Sequence, residues 1–180
     1  MNAFVARLER LLDILSTLAL WTSGTCLVAM TAAITWQVFG RFVLNASPSW
    51  TEPLSLMLML YFILLAAAVG VRERFHLGLD LLRHVAPARV NHWLDVASFA
   101  IVGAFGIAMV WYGSELMLGT WAALIPVLGV PEGLNHLPMV LSGVLIVLFS
   151  VEHLLVLAGF GSEAELETHL HHLDLTEIAE

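Results

Sequence analysis

The chain has 180 residues, 59% of them hydrophobic and 12% charged, with a mean hydropathy of +0.88, against about 45–50% apolar and about 25% charged in an ordinary soluble domain. That balance leaves too little polar surface to wrap a water-soluble core, so lipid is the expected solvent. The net charge of −8 comes from seven arginines, no lysine and 15 acidic residues, six of which fall in 161–180, leaving −2 for the first 160 residues and no basic face for nucleic acid.

A helix rises 1.5 Å per residue, so crossing about 30 Å of hydrocarbon takes about 20 apolar residues. Charges are costly in mid-span, which makes charge-free runs a ruler. There are 27 such residues between Asp13 and Arg41, and 19 each between Glu52 and Arg72, Asp95 and Glu115, and Glu132 and Glu152. The reading is an all-α membrane protein with four transmembrane helices at about 14–39, 53–71, 93–116 and 134–157, in a membrane domain 1–160 followed by an acidic tail 161–180. The first run is longer than the 7–15-residue core of a signal peptide and is read as a retained span.

Short amphipathic segments flank the spans. Phe4, Leu8, Leu11, Leu12 and Leu15 fall at helical spacing among Arg7, Glu9, Arg10 and Asp13, as in a helix lying on the membrane surface before span one. Leu79, Leu81, Leu82 and Val85 repeat the pattern more weakly, and Pro87 suits the first turn of the helix entering span three. In the tail, Ser162 and Glu165 read as a capping box for a short helix carrying Leu166, Leu170 and Leu173.

Six arginines (7, 10, 72, 74, 83 and 89) precede span one or lie between spans two and three, whereas the opposite side has Arg41 alone. The positive-inside rule puts both termini in the cytoplasm. Trp36, Trp50, Trp93, Trp111, Tyr112 and Trp121 fall near span ends, as aromatic rings at a headgroup layer should.

Well inside the runs the polar residues are mainly hydroxyls, with Gln37, and hydroxyls can satisfy themselves on carbonyls three or four residues back. No ionisable group sits in mid-span, so a path for ions or solutes has no visible lining. Of the eight histidines, 76, 84 and 92 fall in the middle loop, 136 and 153 at the ends of span four and 169, 171 and 172 in the tail, which is the wrong distribution for a haem held between facing spans. Cys26 stands alone in an apolar run and offers neither an internal disulfide nor a metal cluster. Stripes of small residues, Thr25-Ala29-Ala33, Ala66 with Gly70, and Ala100-Ala104-Ala108, are candidate helix-packing faces, within the chain or toward a partner.

The scarce charges cluster in two connectors. One reads Arg41-Phe-Val-Leu-Asn45-Ala-Ser-Pro-Ser-Trp50-Thr-Glu52; the other, at the end of span two, reads Ala66-Ala-Ala-Val-Gly-Val-Arg72-Glu-Arg-Phe-His76-Leu-Gly-Leu-Asp80. A plain account is that Arg41 and Arg72 anchor helix ends by reaching for the interface and that Ser47, Pro48 and Ser49 make a turn.

The two motifs together, with the Pro-rich stretch Ile125–Pro131, closely resemble the small integral-membrane subunit of tripartite ATP-independent periplasmic (TRAP) transporters, the DctQ-like family, over roughly residues 10 to 160. A second acidic residue often follows the Trp-x-Glu glutamate in that family; here Pro53 stands in its place. The resemblance implies a non-enzymatic accessory subunit in a bacterial inner membrane, bracing a large membrane subunit that carries the substrate and sodium sites and works with a periplasmic solute-binding protein. It implies no cofactor or metal in this chain, and as partners the large subunit, the periplasmic solute-binding protein through the complex, and membrane lipid, with no nucleic acid. Arg41, Asn45, Trp50 and Glu52 would fix the periplasmic connector, and Arg72, His76 and Asp80 the cytoplasmic one, within the chain or against the large subunit. The alternatives are an autonomous homo-oligomeric carrier or channel, using the span-one hydroxyls and Glu115, and a haem-binding redox subunit.

Overall fold

The computed structural model describes residues 3–46, 48–73, 88–155 and 157, with side chains from residue 10 onward except in 88–90. The expected segments at 79–85 and in the tail, together with Pro87, lie outside the described residues.

Where charges are absent, nothing competes with intrahelical hydrogen bonding, and each run is helical. The helices are α1 (Ala3–Phe42), α2 (Thr51–Arg72), α3 (Ala88–Gly119) and α4 (Leu137–Leu155), the last preceded by a 3-10 turn at Glu132–Asn135. Four stretches, Arg10–Phe42, Thr51–Arg72, Asn91–Gly119 and Glu132–Leu155, are long and apolar enough to cross a membrane. The segment expected to lie on the surface before span one is instead continuous with it. No proline or turn residue separates Arg10 from Ile14, so α1 carries its hydrogen bonding through 40 residues, about 60 Å.

The helices pack in a row. Extensive contacts join α1 to α2, α2 to α4 and α4 to α3, while α1 meets α4 at only a few residues. α2 and α4 are therefore interior and α1 and α3 are flanks, each with an outward face. The starts of α1 and α3 and the ends of α2 and α4 share one end of the row, called here the termini end.

α1 contacts its neighbours through one narrow seam. From Arg10 onward its only residues that are not exposed are Leu12, Ser16, Ala19, Ser23, Cys26, Met30, Ala33, Gln37 and Gly40. Steps of four and three alternate without exception, the 3.5-residue spacing of a coiled-coil seam. The residues are mostly small, as close approach between helices in lipid requires, and Ser23 Oγ donates across the seam to Phe62 O at 3.1 Å. Of the stripe Thr25-Ala29-Ala33, Ala33 lies in this seam, while Thr25 and Ala29 face outward, away from the packing within the chain. The outward threonines 17, 22, 25, 31 and 35 each donate to the carbonyl four residues back, leaving their methyls exposed.

In the stripe of α3, Ala100 and Ala104 are exposed and Ala108 is half-buried; the α3–α4 approach itself runs through glycines. A methyl group on Gly143 would fall 2.9 Å from Gly106 O, and one on Gly106 would fall 2.9 Å from Ile146 Cγ2. Glycine allows a closer backbone approach than alanine, so the glycine-bearing face takes the contact. In α2, Ala66 and Gly70 are half-buried beside the buried Leu65, Ala68 and Val69, and Ala68, Met109 and Ile146 form the core where α2, α3 and α4 meet.

Two connectors close the end opposite the termini. After α1, Asn45 adopts φ +49, a left-handed conformation that asparagine tolerates. The chain there folds back so that Ala46 N–H donates to Gly40 O at 3.0 Å. Thr51 is fully buried, and its hydroxyl donates to Pro48 O at 2.8 Å, fixing the entry to α2. After α3, residues 120–131 form a small antiparallel hairpin in which Ile125 N–H donates to Val130 O and Glu132 N–H to Ala123 O. Tyr61 on α2 holds the turn before α4 through a hydrogen bond from its hydroxyl to Leu134 O at 3.1 Å.

Candidate functional site

Three of the charges that delimit the spans meet at the termini end. Arg72, in the last turn of α2, reaches back to the start of α1, where Nη1 donates to Leu12 O at 3.1 Å and Nη2 pairs with the Asp13 carboxylate. On its other side Nε lies 3.5 Å from Glu152 Oε2 on α4. The guanidinium stands over the ring of Phe149, 5.5 Å from its centroid, and that ring is fully buried. One side chain on an interior helix thus ties both of that helix's neighbours.

The backbone of Arg72 takes part as well. Its carbonyl lies 3.0 Å from Nε2 of His153, a buried side chain on α4. That nitrogen donates, since the carbonyl can only accept. The imidazole in turn packs on Phe99 of α3 at 4.5 Å between centroids. The hub therefore spans all four helices: α1 through Leu12 and Asp13, α2 through Arg72, α4 through Phe149, Glu152 and His153, and α3 through Phe99.

The environments of the two carboxylates differ. The Asp13 side chain is 67% exposed, whereas those of Arg72 and Glu152 are 18% and 13% exposed. An exposed pair is weak because water screens it; a secluded pair is strongly missed when one member is removed. Arg72–Glu152 is the secluded pair of the two, held at 3.5 Å by charge and not by a hydrogen bond to Glu152 Oε2.

Of the residues that the sequence singles out, only Arg72 lies in this hub; His76 and Asp80 lie outside the described residues. Arg41, Asn45, Trp50 and Glu52 sit at the opposite end and are all exposed. Arg41 lies over the ring of its neighbour Phe42 at 5.9 Å. Arg41 and Glu52 form no ion pair with any described residue. What positions this connector is backbone: the Asn45 conformation and the Gly40, Pro48 and Thr51 contacts. A side chain on Gly40 would run into Ala46 O at 2.8 Å, so the turn packs directly on the helix it leaves.

Asp13, Phe99, Phe149, Glu152 and His153 were not singled out by sequence reasoning. Asp13 and Glu152 mark span ends in the sequence, and in a chain that crosses four times these marks and Arg72 must fall at one membrane level. That was a usable signal.

The described grooves lie away from the hub and are apolar. One runs along the outer face of α1 beside Leu27, Val28, Thr31, Thr35, Trp36 and Phe39; the other lies between α3 and α4 beside Ile107, Trp111, Val144 and Leu148. Among the described residues no three His, Cys, Asp or Glu side chains gather as a metal ion would need. What the described residues of the hub offer is packing and ion pairing.

Comparison with known proteins agrees with that character. The family model of tripartite ATP-independent periplasmic transporters, DctQ component, matches residues 30–159. The C4-dicarboxylate TRAP transporter small permease protein DctQ of Vibrio cholerae is 29% identical over 93 residues, 52% of this chain and 37% of that protein. The sialic acid TRAP transporter small permease protein SiaQ of the same organism is 23% identical over 145 residues, 78% of this chain and 83% of that one. The sialic acid TRAP transporter permease protein SiaT of Haemophilus influenzae is 28% identical over 75 residues, 42% of this chain and only 12% of that protein. With four apolar helices and a family match over most of its length, the chain belongs to the DctQ family of small TRAP-transporter permease subunits, a transporter component rather than an enzyme, and is a multi-pass protein of the bacterial inner membrane.

Proposed function

We infer that the chain braces the large membrane subunit of a sodium-coupled secondary transporter for organic acids, supplied by a periplasmic solute-binding protein, with both termini in the cytoplasm. The observation that carries this reading is the distribution of charge along the helices. Asp13, Arg72 and Glu152 lie at the termini end, the stretches 14–40, 53–71, 96–114 and 137–151 in mid-span hold no carboxyl, guanidinium or imidazole, and the described grooves are apolar. A conducting subunit needs polar groups in mid-membrane; a brace needs packing surfaces and rigid ends. The organic-acid class is supported by the relatives, whose names specify C4-dicarboxylate and sialic acid. Orientation rests on the six arginines on the side of the termini.

On this reading the row of helices widens the static part of the transporter, and the moving part of the large subunit shifts against it. Arg72 locks the row at its cytoplasmic end, with His76 and Asp80 continuing that connector. Arg41, Asn45, Trp50 and Glu52 form the periplasmic connector, whose exposed side chains are free to meet the large subunit. The test is affinity purification of the tagged chain from membranes that also contain the large subunit. The two should elute together, and variants at Arg41 and Glu52 should weaken that association without loss of the folded chain. Elution of this chain as a homo-oligomer free of the large subunit would refute the reading.

A further inference from the structure

We propose that the hairpin 120–131 is a lipid anchor, seated with its apolar tip in the headgroup layer at the end of the bundle opposite the termini. The inference rests on the four membrane spans and not on the bracing role.

Depth is the first argument. From Asp95, at the termini end, α3 continues to Gly119, about 36 Å at 1.5 Å per residue. Hydrocarbon is about 30 Å thick, and about 40–45 Å with its headgroups. The hairpin therefore leaves α3 just beyond the hydrocarbon, and Glu115 and Glu132 mark the same boundary on the two helices it joins.

Composition is the second. Thr120-Trp-Ala-Ala-Leu-Ile-Pro-Val-Leu-Gly-Val-Pro131 contains no charge, and its one hydroxyl, on Thr120, donates to Leu116 O. Leu124 is 61% and Val127 48% exposed, and Trp121 is exposed as well. A surface built for a soluble protein partner is rimmed with polar and charged groups; the hairpin itself carries no charge, and the nearest ones, Glu115 and Glu132, stand at its base.

The third argument is the backbone: most of the hairpin's N–H groups donate within the chain, and those of Ala122, Leu124, Val127 and Val130, which have no backbone acceptor among the described residues, need the hydrated headgroup layer rather than hydrocarbon. Ala123 N–H donates to Thr120 O, Ile125 N–H to Val130 O, and Leu128 and Gly129 N–H both to Ile125 O. Pro126 and Pro131 have no N–H to satisfy. Gly129, at φ +66, reverses the chain. Gly133 seats the base against Met117 O and the Trp121 ring, too closely for any side chain there. The same bonds hold Leu124 and Val127 outward, so these side chains cannot escape water by folding onto the bundle.

The test is site-directed spin labelling of the full chain, assembled with its transporter partners in inner-membrane vesicles. Labels are placed at Val127→Cys and, independently, Leu124→Cys in a Cys26→Ala background, with collision rates measured against oxygen and a water-soluble nickel chelate. Ile101→Cys on the outer face of α3 and Glu115→Cys, exposed near the end of α3, serve as lipid and water-edge references. The anchor predicts an oxygen-to-nickel collision ratio several-fold above that at Glu115 and approaching that at Ile101. A ratio equal to that at Glu115, from a loop standing in water, would overturn it. Shielding from both reagents, meaning that protein covers the tip, would overturn it equally.

Discussion

Replacing Arg72 with methionine tests the hub most sharply, because each of its contacts carries a different expected weight. The ion pair with Asp13 is largely in water and contributes about 0–1 kcal/mol. The pair with Glu152 is secluded, and withdrawing the cation from such a pair destabilises by about 3–5 kcal/mol. The Leu12 O hydrogen bond and the Phe149 ring contact are lost with it. Arg72→Met should therefore lower stability by about 3 kcal/mol or more, and Asp13→Asn by no more than about 1 kcal/mol. Arg72→Met/Glu152→Met should fall well short of the sum of its single variants, since replacing both members of a secluded pair by apolar groups is close to neutral. Helicity measured through a titration from mild detergent into sodium dodecyl sulfate gives all four values. If Arg72→Met lies within about 0.5 kcal/mol of the parent, or Asp13→Asn equals it, the hub is not where the bundle is tied.

Other consequences are read in the same assay. Gly143→Ala should destabilise by about 1–3 kcal/mol, because its methyl meets Gly106 O and Met109 Cβ at about 3 Å, and cysteine cross-linking between α3 and α4 should slow. Asn45→Gly should be neutral or mildly stabilising, whereas Asn45→Val, β-branched in a left-handed position, should destabilise by about 1–2 kcal/mol. Tyr61→Phe removes the bond to Leu134 O and should lower stability by about 0.5–1.5 kcal/mol, with faster hydrogen exchange in the turn before α4. Gly24→Ala, with nothing within 4 Å of the added methyl, should be tolerated or stabilising by about 0.5–1 kcal/mol in the isolated chain.

The spans were legible because lipid makes charge placement almost binary: where Asp13, Arg41, Glu52 and Arg72 stand, a helix must be entering or leaving the membrane. The faces of those helices were not. In a soluble helix the buried side announces itself by hydrophobicity, but α1 is apolar all round, and its seam differs from its outer face only in side-chain size and in what α2 presents. Thr25, Ala29 and Ala33 looked like a packing stripe on size alone; the 3.5-residue register that carries Ala33 into the seam turns the other two outward. Ala100 and Ala104 were passed over in the same way for the glycines of α3. Arg72 drew notice through its motif, while its partners Asp13 and Glu152, 59 and 80 residues away, were visible only to reasoning that asked which span ends share a membrane level. The Pro- and Gly-rich stretch 125–131 signalled a turn, but the pairing of Ala123 with Glu132 and Ile125 with Val130 depends on where α3 stops and α4 begins.

Reconstitution of uptake tests the central claim most directly. Proteoliposomes are prepared with this chain alone, with the large subunit alone, and with both, each supplied with the loaded receptor, a labelled organic acid and a sodium gradient. A brace predicts uptake only where both membrane subunits are present, and none from this chain by itself. Solute entering vesicles that contain this chain alone, or full uptake by the large subunit without it, would contradict the account.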